Sequence, residues 1–343
     1  MKTVENPFRG KGMDEALLAG APWPSVDADA VRNLLARCPA AAETPLRHVE
    51  GFGADLWIKD ERERMGLGSF KALGAAYVIA HDAAETGVED MRHALTGRTY
   101  VTASAGNHGL SVAAGAHIFG ARAVIYLSER VPEWFADKLR AKGAEVIRDG
   151  VDYEASMVAA GRAATDNDWT LLSDSSWPAY FEVPHRLMEG YLAMAEEVTR
   201  QMAEPPSHIL LQAGVGGLAG AAAAWFRHVW GDGPQIIVVE PERAPALQES
   251  IREGRPVETS GEVSNMGRLD CKVPSLIALK GLARDADAFV TISDAEAEAV
   301  LPDLAAKGLA STPSGAAGVA ALRGLDLAGD ARVLCILSEE AEG

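Results

Sequence analysis

The sequence predicts an α/β protein in which largely parallel β-sheets are flanked by helices. Short runs of β-branched residues alternate with Ala-rich stretches along most of the chain, and glycine-rich turns follow several of these runs. Such alternation is typical of a parallel sheet with helices on both faces. The 343 residues, 48% of them hydrophobic, are enough for one large or two medium domains. We therefore expect two α/β domains, with ligands bound where the strand order reverses.

The elements follow one another in a regular order from residue 99 onward. The runs predicted as strands are rich in Val, Ile, Leu and aromatic residues and cover 99–104, 121–128, 144–150, 169–174, 208–214, 235–242, 288–293 and 331–338. The stretches predicted as helices lie between them and cover 109–120, 133–143, 153–167, 183–202 and 217–230. Before these, Ser69 is expected to cap a helix that opens with GSFKALGA, residues 68–75.

Charge and cysteine content argue against several classes of function. The formal net charge is −17, and an acidic surface argues against binding to nucleic acid or to anionic membranes. The three cysteines are widely spaced without a CxxC pair, so neither a disulfide framework nor a metal site is expected. The N-terminus lacks a signal-peptide pattern, and no apolar run approaches the roughly 20 residues of a membrane helix. We expect a cytoplasmic protein that acts on a small molecule.

The first candidate site residue is Lys71, which lies between Phe70 and Ala72 in an otherwise apolar run. Lysine is rarely buried without a reason. In apolar surroundings its amine would have a lowered pKa, because burial disfavours the ammonium form, and a neutral amine can form an imine with an aldehyde. The alternative is a surface lysine whose stem packs along a helix.

Two further loops offer groups that suit an anionic ligand. The loop SAGNHG, residues 104–109, has small residues that let the backbone approach a ligand, and Asn107 can both donate and accept a hydrogen bond. His108 could be catalytic or could simply pack against its neighbours. The loop QAGVGGLAG, residues 212–220, places four glycines where a strand turns into a helix, which suits a phosphate group.

The glycine loop also nearly fits the dinucleotide-binding pattern GxGxxG. Residues 214–219 carry the near match, and Glu240 ends the next predicted strand, where an acidic residue would bind a ribose. However, the loop comes late in the chain and not on the first strand–helix turn. A nicotinamide-dependent oxidoreductase therefore remains as a rival class, and such an enzyme gives Lys71 no role.

A single cofactor accounts for all of these groups. Pyridoxal phosphate carries an aldehyde for Lys71, a phosphate for the glycine loop, a phenolic oxygen for Asn107 and a ring nitrogen for Ser338, which ends the last predicted strand. Each signal alone is weak, but the four occur together. We therefore predict pyridoxal 5'-phosphate as the cofactor.

The motifs GSFKALGA, SAGNHG, QAGVGGLAG and ILSEE (336–340) carry a resemblance to a known family. They resemble the fold-type II, tryptophan-synthase-β-like group of pyridoxal-phosphate enzymes, over nearly the whole chain. Within that group, DSSW (174–177) and VPHRLMEGY (183–191) are similar to the diaminopropionate ammonia-lyase family. The resemblance implies a homodimer whose small domain, residues 84–186, is inserted in a large cofactor-binding domain of residues 1–83 and 187–343.

The resemblance also implies a role for each site residue. Lys71 would be the lysine that forms a Schiff base with the cofactor, and Asp174 would be an active-site carboxylate. The groups implied to bind the cofactor are Asn107, Gly214, Val215, Gly216, Gly217, Leu218 and Ser338. The groups implied to surround the substrate α-carboxylate are Ser104, Ala105, Gly106 and His108. From the residues alone, Asp174 could equally be a cap or turn residue.

Ala105 departs from the pattern of the ammonia-lyases, and SAGNHG is spelled as in serine/threonine dehydratases. In the ammonia-lyases an acidic residue precedes the Gly-Asn-His sequence and is credited with taking the α-proton of the D-isomer. An alanine cannot act as a base, so we predict that L-substrates are preferred.

The predicted reaction is an α,β-elimination on a small L-amino acid, which gives a 2-oxo acid and ammonia. The first candidate substrate is 2,3-diaminopropionate, because the Asp174 carboxylate could hold a β-ammonium group. L-Serine, L-threonine and 3-hydroxyaspartate are alternatives, and the last would need a cation such as Arg130 or Arg186. A β-replacement synthase also stays open, since the two reactions diverge only after the β-substituent has left.

Overall fold

The computed structural model describes residues 1–38 and 40–341 of the chain. Within these residues, a seven-stranded and a four-stranded sheet are present. Their strands are β1 (Lys2–Glu5), β2 (Leu46–Val49), β3 (Asp55–Asp60), β4 (Thr99–Ala103), β5 (Arg122–Leu127), β6 (Glu145–Arg148), β7 (Thr170–Leu171), β8 (His208–Gln212), β9 (Gln235–Pro241), β10 (Ala288–Ile292) and β11 (Arg332–Leu337). The predicted α/β class with two largely parallel sheets is confirmed.

Both sheets are parallel except at the two edges of the larger one. The large sheet has the order β1-β10-β9-β8-β11-β3-β2, and its outer strands β1 and β2 run antiparallel to their neighbours. The small sheet has the order β6-β5-β4-β7 and is parallel throughout. Since parallel strands end at the same edge, the loops after β3, β8 and β11 meet on the large sheet. The loops after β4, β5 and β7 likewise meet on the small sheet.

The helices cover both sheets and supply the core. They are α1 (Ala28–Leu35), α2 (Ala75–Glu85), α3 (Asn107–Ile118), α4 (Glu133–Ala141), α5 (Tyr153–Asn167), α6 (Glu182–Gly190), α7 (Leu192–Gln201), α8 (Gly217–Trp230), α9 (Ala246–Glu253), α10 (Leu276–Asp285), α11 (Asp294–Ala299), α12 (Leu301–Ala306) and α13 (Ala317–Leu322). The first eight residues of α8 are all buried, which explains their apolar composition. Across the described ranges, no helix combines the length and apolarity needed to cross a membrane.

The sequence pattern misses the first three strands. β1 and β2 are four-residue edge strands, and β3 has Lys59 and Asp60 in its buried half, so hydrophobic patterning is weak in all three. The strands of the small sheet all lie within residues 99–171, inside the predicted small domain. The domain boundaries themselves stay a prediction.

The single helix predicted over 183–202 is in fact two helices, α6 and α7, which meet at Tyr191. Gly190, the last residue of α6, packs directly on the segment that carries Lys71. A Cβ atom at position 190 would lie 2.0 Å from the carbonyl oxygen of Leu73. The end of α6 is therefore set by close contact with the Lys71 segment, which periodicity alone does not reveal.

Candidate active site

The segment that carries Lys71 is tied to the end of β11. A 3₁₀ turn, Phe70–Leu73, precedes α2, and the Ser69 hydroxyl accepts a hydrogen bond from the Lys71 backbone N–H at 3.3 Å. This confirms the predicted capping role of Ser69. The Phe70 N–H donates to the Ser338 carbonyl oxygen at 3.0 Å. Backbone hydrogen bonding therefore places Lys71 next to the residue that ends the last strand.

Lys71 faces Asp174, which follows β7 of the small sheet. The Lys71 Nζ atom lies 2.5 Å from the Asp174 Oδ2 atom, and each side chain is 21% exposed. Burial alone would lower the pKa of Lys71, but the charges of Asp174 and Tyr191 hold it above its usual range. Burial alone would raise the pKa of Asp174, but the charges of Lys71 and His108 hold it below its usual range. The predicted lowering of the Lys71 pKa is wrong, because a carboxylate faces the amine.

The loop SAGNHG connects β4 to α3 and offers free donors to a ligand. The Ser104 hydroxyl accepts hydrogen bonds from the backbone N–H groups of Gly106 at 3.3 Å and Gly109 at 3.1 Å. Its own O–H therefore stays available as a donor. The Asn107 amide donates to the Glu339 Oε2 atom at 2.5 Å. Because an amide NH₂ group has two donors, Asn107 can make this bond and still donate to a second group.

His108 is buried at the start of α3. Its Nε2 atom lies 2.9 Å from the Leu172 carbonyl oxygen, and burial lowers its pKa. A neutral ring that donates from Nε2 keeps Nδ1 as an acceptor, and Nδ1 has no hydrogen-bond partner in the described part of the chain. This arrangement suits a residue that holds the loop in place better than an acid catalyst.

The glycine loop follows β8 and opens α8. Gly216 has a φ of +98°, a left-handed conformation that favours glycine, and a Cβ there would lie 3.0 Å from side chains of Leu247 and Ala278. Within residues 1–38 and 40–341, no carbonyl oxygen accepts a hydrogen bond from the backbone N–H groups of residues 214–218, although the Val215 N–H meets the Cys271 sulfur. Free N–H groups at the N-terminus of a 14-residue helix are well suited to a phosphate. The loop therefore fits the phosphate of the predicted cofactor.

The end of β11 brings two buried residues to the same place, Ser338 and Glu339. The Glu339 carboxylate accepts hydrogen bonds from Asn107 and from the Thr312 hydroxyl, and one of its oxygens lies 3.7 Å from the Arg268 Nε atom. Ser338 is a predicted site residue, whereas Glu339 is not. A glutamate that follows a strand is usually expected to be exposed to solvent. The contact between Glu339 and Asn107 depends on the order of the strands, which the sequence does not show.

Two further side chains, Tyr191 and Cys271, lie beside the predicted site residues, and the sequence does not predict them as part of the site. The Tyr191 ring centroid lies 6.0 Å from Lys71 Nζ, and burial raises the pKa of its hydroxyl to about 12. The Cys271 sulfur lies 2.9 Å from the position that a Cβ of Gly214 would take, and burial raises the pKa of its thiol to about 12. Tyr191 stands in the quoted motif VPHRLMEGY, whereas Cys271 has no sequence signal of its own.

The glycine loop does not form a dinucleotide site. Glu240 is fully buried, and its two carboxylate oxygens accept hydrogen bonds from the backbone N–H groups of Leu247 at 2.8 Å and Gln248 at 2.7 Å. The carboxylate is therefore committed to the start of α9 and cannot bind a ribose. Of the two arginines considered for a dicarboxylate, Arg186 pairs with Glu189, whereas Arg130 lines a cavity together with Ala105.

The predicted site residues converge at the facing edges of the two sheets. A Cβ at Gly217 would lie 3.6 Å from the Tyr191 ring and 3.9 Å from the Asp174 carbonyl oxygen, so the glycine loop adjoins the Lys71–Asp174 pair. The amine, the N–H-lined loop, the Asn107 amide and the Ser338 hydroxyl match the four functional groups of pyridoxal phosphate. Residues 38–339 match the family described as pyridoxal-phosphate dependent enzyme. The chain belongs to this family, and pyridoxal phosphate is its cofactor.

Three relatives narrow the class of enzyme. The diaminopropionate ammonia-lyase of Salmonella typhimurium is 32% identical over 300 residues, which cover 80% of this chain and 72% of that enzyme. A probable D-serine dehydratase of Chromobacterium violaceum is 29% identical over 296 residues, which cover 77% of this chain and 64% of that protein.

The third is the diaminopropionate ammonia-lyase of Escherichia coli, crystallised in complex with an aminoacrylate-PLP azomethine reaction intermediate. It superimposes with a TM-score of 0.86 at 27% identity, over 99% of this chain and 93% of that chain. The sequence match spans 64% of the full E. coli enzyme. The chain is therefore a fold-type II enzyme related to ammonia-lyases and dehydratases.

Proposed function

We propose that this enzyme catalyses the α,β-elimination of a small L-amino acid, with 2,3-diaminopropionate as the first candidate. The observation that carries the proposal is the 2.5 Å contact between Lys71 Nζ and Asp174 Oδ2. It favours an active-site carboxylate over a helix cap, because the Asp174 side chain reaches the lysine. In the overall reaction, diaminopropionate and one water give pyruvate and two molecules of ammonia. The Cα–H and Cβ–N bonds break in the elimination, water then replaces the Cα–N bond with a carbonyl and releases the second ammonia, and no oxidant is needed.

Lys71 is the proposed base and Asp174 the group that strengthens it. Bound pyridoxal phosphate supplies an electron-accepting ring that stabilises negative charge at the substrate α-carbon. Asp174 raises the pKa of Lys71, so the neutral amine is a stronger base when it accepts the α-proton. The resulting ammonium stays next to the carboxylate and can give its proton to a departing β-hydroxyl, whereas a β-ammonium group leaves as ammonia without a further proton. The Asp174 carboxylate also attracts a β-ammonium group and so favours a diamino acid.

The remaining residues are proposed to bind and orient. The N–H groups of residues 214–218 would hold the phosphate, Asn107 the ring oxygen, and Ser338 the ring nitrogen. The Ser104 hydroxyl and the backbone N–H groups of Asn107 and His108 would hold the substrate α-carboxylate, since these donors are not used within the loop, whereas the Gly106 and Gly109 N–H groups donate to Ser104.

An ammonia-release assay on the purified enzyme tests this proposal. The substrates are the L- and D-isomers of 2,3-diaminopropionate and serine, together with L-threonine. Asp174→Asn is expected to lower kcat/KM for diaminopropionate by about 10²–10⁴-fold and to affect serine less, because serine has no β-ammonium group. The matched control is Asp152→Asn, which alters a carboxylate that caps α5. Equal losses on both amino acids would remove Asp174 from substrate selection, and no ammonia from any substrate would overturn the proposed function.

A further inference from the structure

A cavity of about 340 Å³ opens beside the proposed substrate loop. Ala105 of SAGNHG forms part of its wall, and Trp134 and Phe135 of α4 form an apolar part. Arg130 and Arg268 also line it. Because β4 and β5 are parallel neighbours, the loop that carries Arg130 leaves the same sheet edge as SAGNHG. The cavity therefore borders the loop on which the substrate α-carboxylate is proposed to bind.

Arg268 is held in place by its backbone at the junction of the two proposed binding loops. Its N–H donates to the Ser314 hydroxyl at 3.1 Å, and its carbonyl oxygen lies 3.1 Å from the position that a Cβ of Gly214 would take. The side chain then passes over Gly106, where a Cβ would lie 3.3 Å from Nε. The guanidinium group thus lies along the substrate loop, with Glu339 as one partner.

The charges around the cavity favour an anion. Arg130 is exposed and has no acidic partner in the described ranges. Glu133, at the start of α4, is engaged by Arg140 and Arg148 and so does not neutralise Arg130. Ala105 contributes no charge. Arg130 therefore brings a positive charge to the cavity, whereas Arg268 lines the cavity with a guanidinium group that also faces Glu339. A guanidinium group binds carboxylates through paired hydrogen bonds.

We infer that this cavity binds a carboxylate on the side chain of the substrate. The substrate class is an L-aspartate that carries a leaving group, a hydroxyl or an amine, on its β-carbon. This inference rests on the proposed elimination and narrows its substrate. The Cα–H bond and the Cβ–O or Cβ–N bond break in the elimination, and water then replaces the Cα–N bond with a carbonyl and releases ammonia. 3-Hydroxyaspartate gives the four-carbon 2-oxo diacid and one ammonia without net water, and the 3-amino compound with one water gives the same diacid and two ammonia.

Pairs of substrates that differ only in the β-carboxylate test this inference in the ammonia-release assay. Serine and 3-hydroxyaspartate share a leaving group and differ only in the β-carboxylate, and diaminopropionate and 2,3-diaminosuccinate form the second pair. Arg130→Gln is expected to lower the ratio of kcat/KM for the dicarboxylate over its partner by at least about tenfold. Arg268→Lys, which keeps the charge but loses the paired hydrogen bonds, is expected to lower it less. Arg92→Gln, an exposed arginine outside the cavity, is the matched control.

A binding measurement does not depend on turnover. Succinate is expected to bind the cofactor-loaded enzyme more tightly than propionate by calorimetry, and Arg130→Gln is expected to remove that difference. Equal binding of the two acids, or an equal loss on both members of each pair in Arg130→Gln, would overturn the inference. If no amino acid is eliminated, the proposed function fails while the succinate comparison still decides whether the anion subsite exists. If diaminopropionate is eliminated but succinate gains nothing, only the subsite fails.

Discussion

Two groups of charged side chains in this molecule, one buried and one partly exposed, differ in how completely their hydrogen bonds are used. One is the buried charge cluster of Lys59, Glu61, Arg64 and Glu197, whose side chains are 0%, 0%, 2% and 8% exposed. The Lys59 ammonium donates to the Thr44 carbonyl at 2.7 Å, to Glu197 at 2.6 Å and to Gln201 at 3.0 Å. All three donors of this lysine are therefore engaged. The other group is the Lys71–Asp174 pair, in which one hydrogen bond joins the two side chains.

The pKa values of the two lysines move in opposite directions, because burial outweighs nearby charge at Lys59 and nearby charge outweighs burial at Lys71. Burial lowers the pKa of Lys59 in spite of the nearby Glu197 and Glu61, and Arg64 opposes its charge as well. At Lys71, burial would also lower the pKa, but the charges of Asp174 and Tyr191 outweigh burial, so the pKa rises. A lysine with every donor engaged acts as scaffold, whereas a lysine with one partner and open space beside it can exchange protons and bonds. Burial alone does not separate the two roles.

The largest expected effect is at Lys71. Lys71→Ala is expected to abolish the visible absorbance of the bound cofactor and to lower kcat by at least about a thousandfold, because it removes both the covalent attachment and the base. The matched control is Lys280→Ala, a buried lysine that donates to the Ala21 carbonyl and lies outside the site. Absorbance spectra and turnover are measured on both variants. Retention of the cofactor band in Lys71→Ala would refute the assignment.

A substitution in the buried charge cluster should lower the stability of the enzyme and leave its turnover unchanged. Arg64→Ala leaves Glu61 and Glu197 buried without their main cation, so the free energy of unfolding should fall by about 3–5 kcal/mol. The control, Arg140→Ala, breaks exposed pairs with Glu133 and Asp137 that solvent screens, so it should leave the free energy of unfolding nearly unchanged. Denaturant titration measures both, and the turnover of folded Arg64→Ala enzyme should be retained. A loss of turnover at unchanged stability would contradict the scaffold role.

The loss of stability at acid pH tests the role of Glu197 in the buried charge cluster. Burial would raise the pKa of Glu197, but hydrogen bonds and charge from Arg64 hold it below the ordinary value of 4.5. A carboxylate with a lowered folded-state pKa contributes stability that is complete above the unfolded-state value and is lost as the pH falls through the folded-state value. The stability difference between wild type and Glu197→Gln should therefore be largest at neutral pH and shrink below about 4.5. Unfolding curves from acid to neutral pH test this, and a constant difference would contradict it.

The sequence predicts well those parts of the molecule whose pattern lies within a short stretch of the chain. The strand–helix alternation predicts the α/β class, and α8 begins and ends at the predicted residues, because its pattern is continuous and apolar. The loops at 68–75, 104–109 and 212–220 are visible because glycine and small residues have few other reasons to cluster.

The sequence does not predict which polar and charged residues that are far apart in the chain contact one another. Lys71 and Asp174 are 103 residues apart, and Asn107 and Glu339 are 232 residues apart. Their contacts depend on strand order, which brings the ends of β4, β7 and β11 together. The lowered pKa expected for Lys71 fails for this reason, since the apolar neighbours in sequence are not its neighbours in space. No motif around Lys59 predicts that it is buried, although its side chain is fully buried.

The smallest effect we expect concerns stereochemistry at Ala105. The wild type should prefer L-diaminopropionate, because no carboxylate stands before Gly106 to take the α-proton of the D-isomer. Ala105→Asp should raise the ratio of D- to L-turnover by about tenfold, with Ala105→Asn as the uncharged control of similar size. Because Ala105 borders a cavity lined by Arg130 and Arg268, an added carboxylate has both space and compensating charge, and stability should barely change. The same carboxylate added to the buried charge cluster would find every partner engaged. Equal D- to L-ratios in the two Ala105 variants, or wild-type preference for the D-isomer, would remove Ala105 from the choice of isomer.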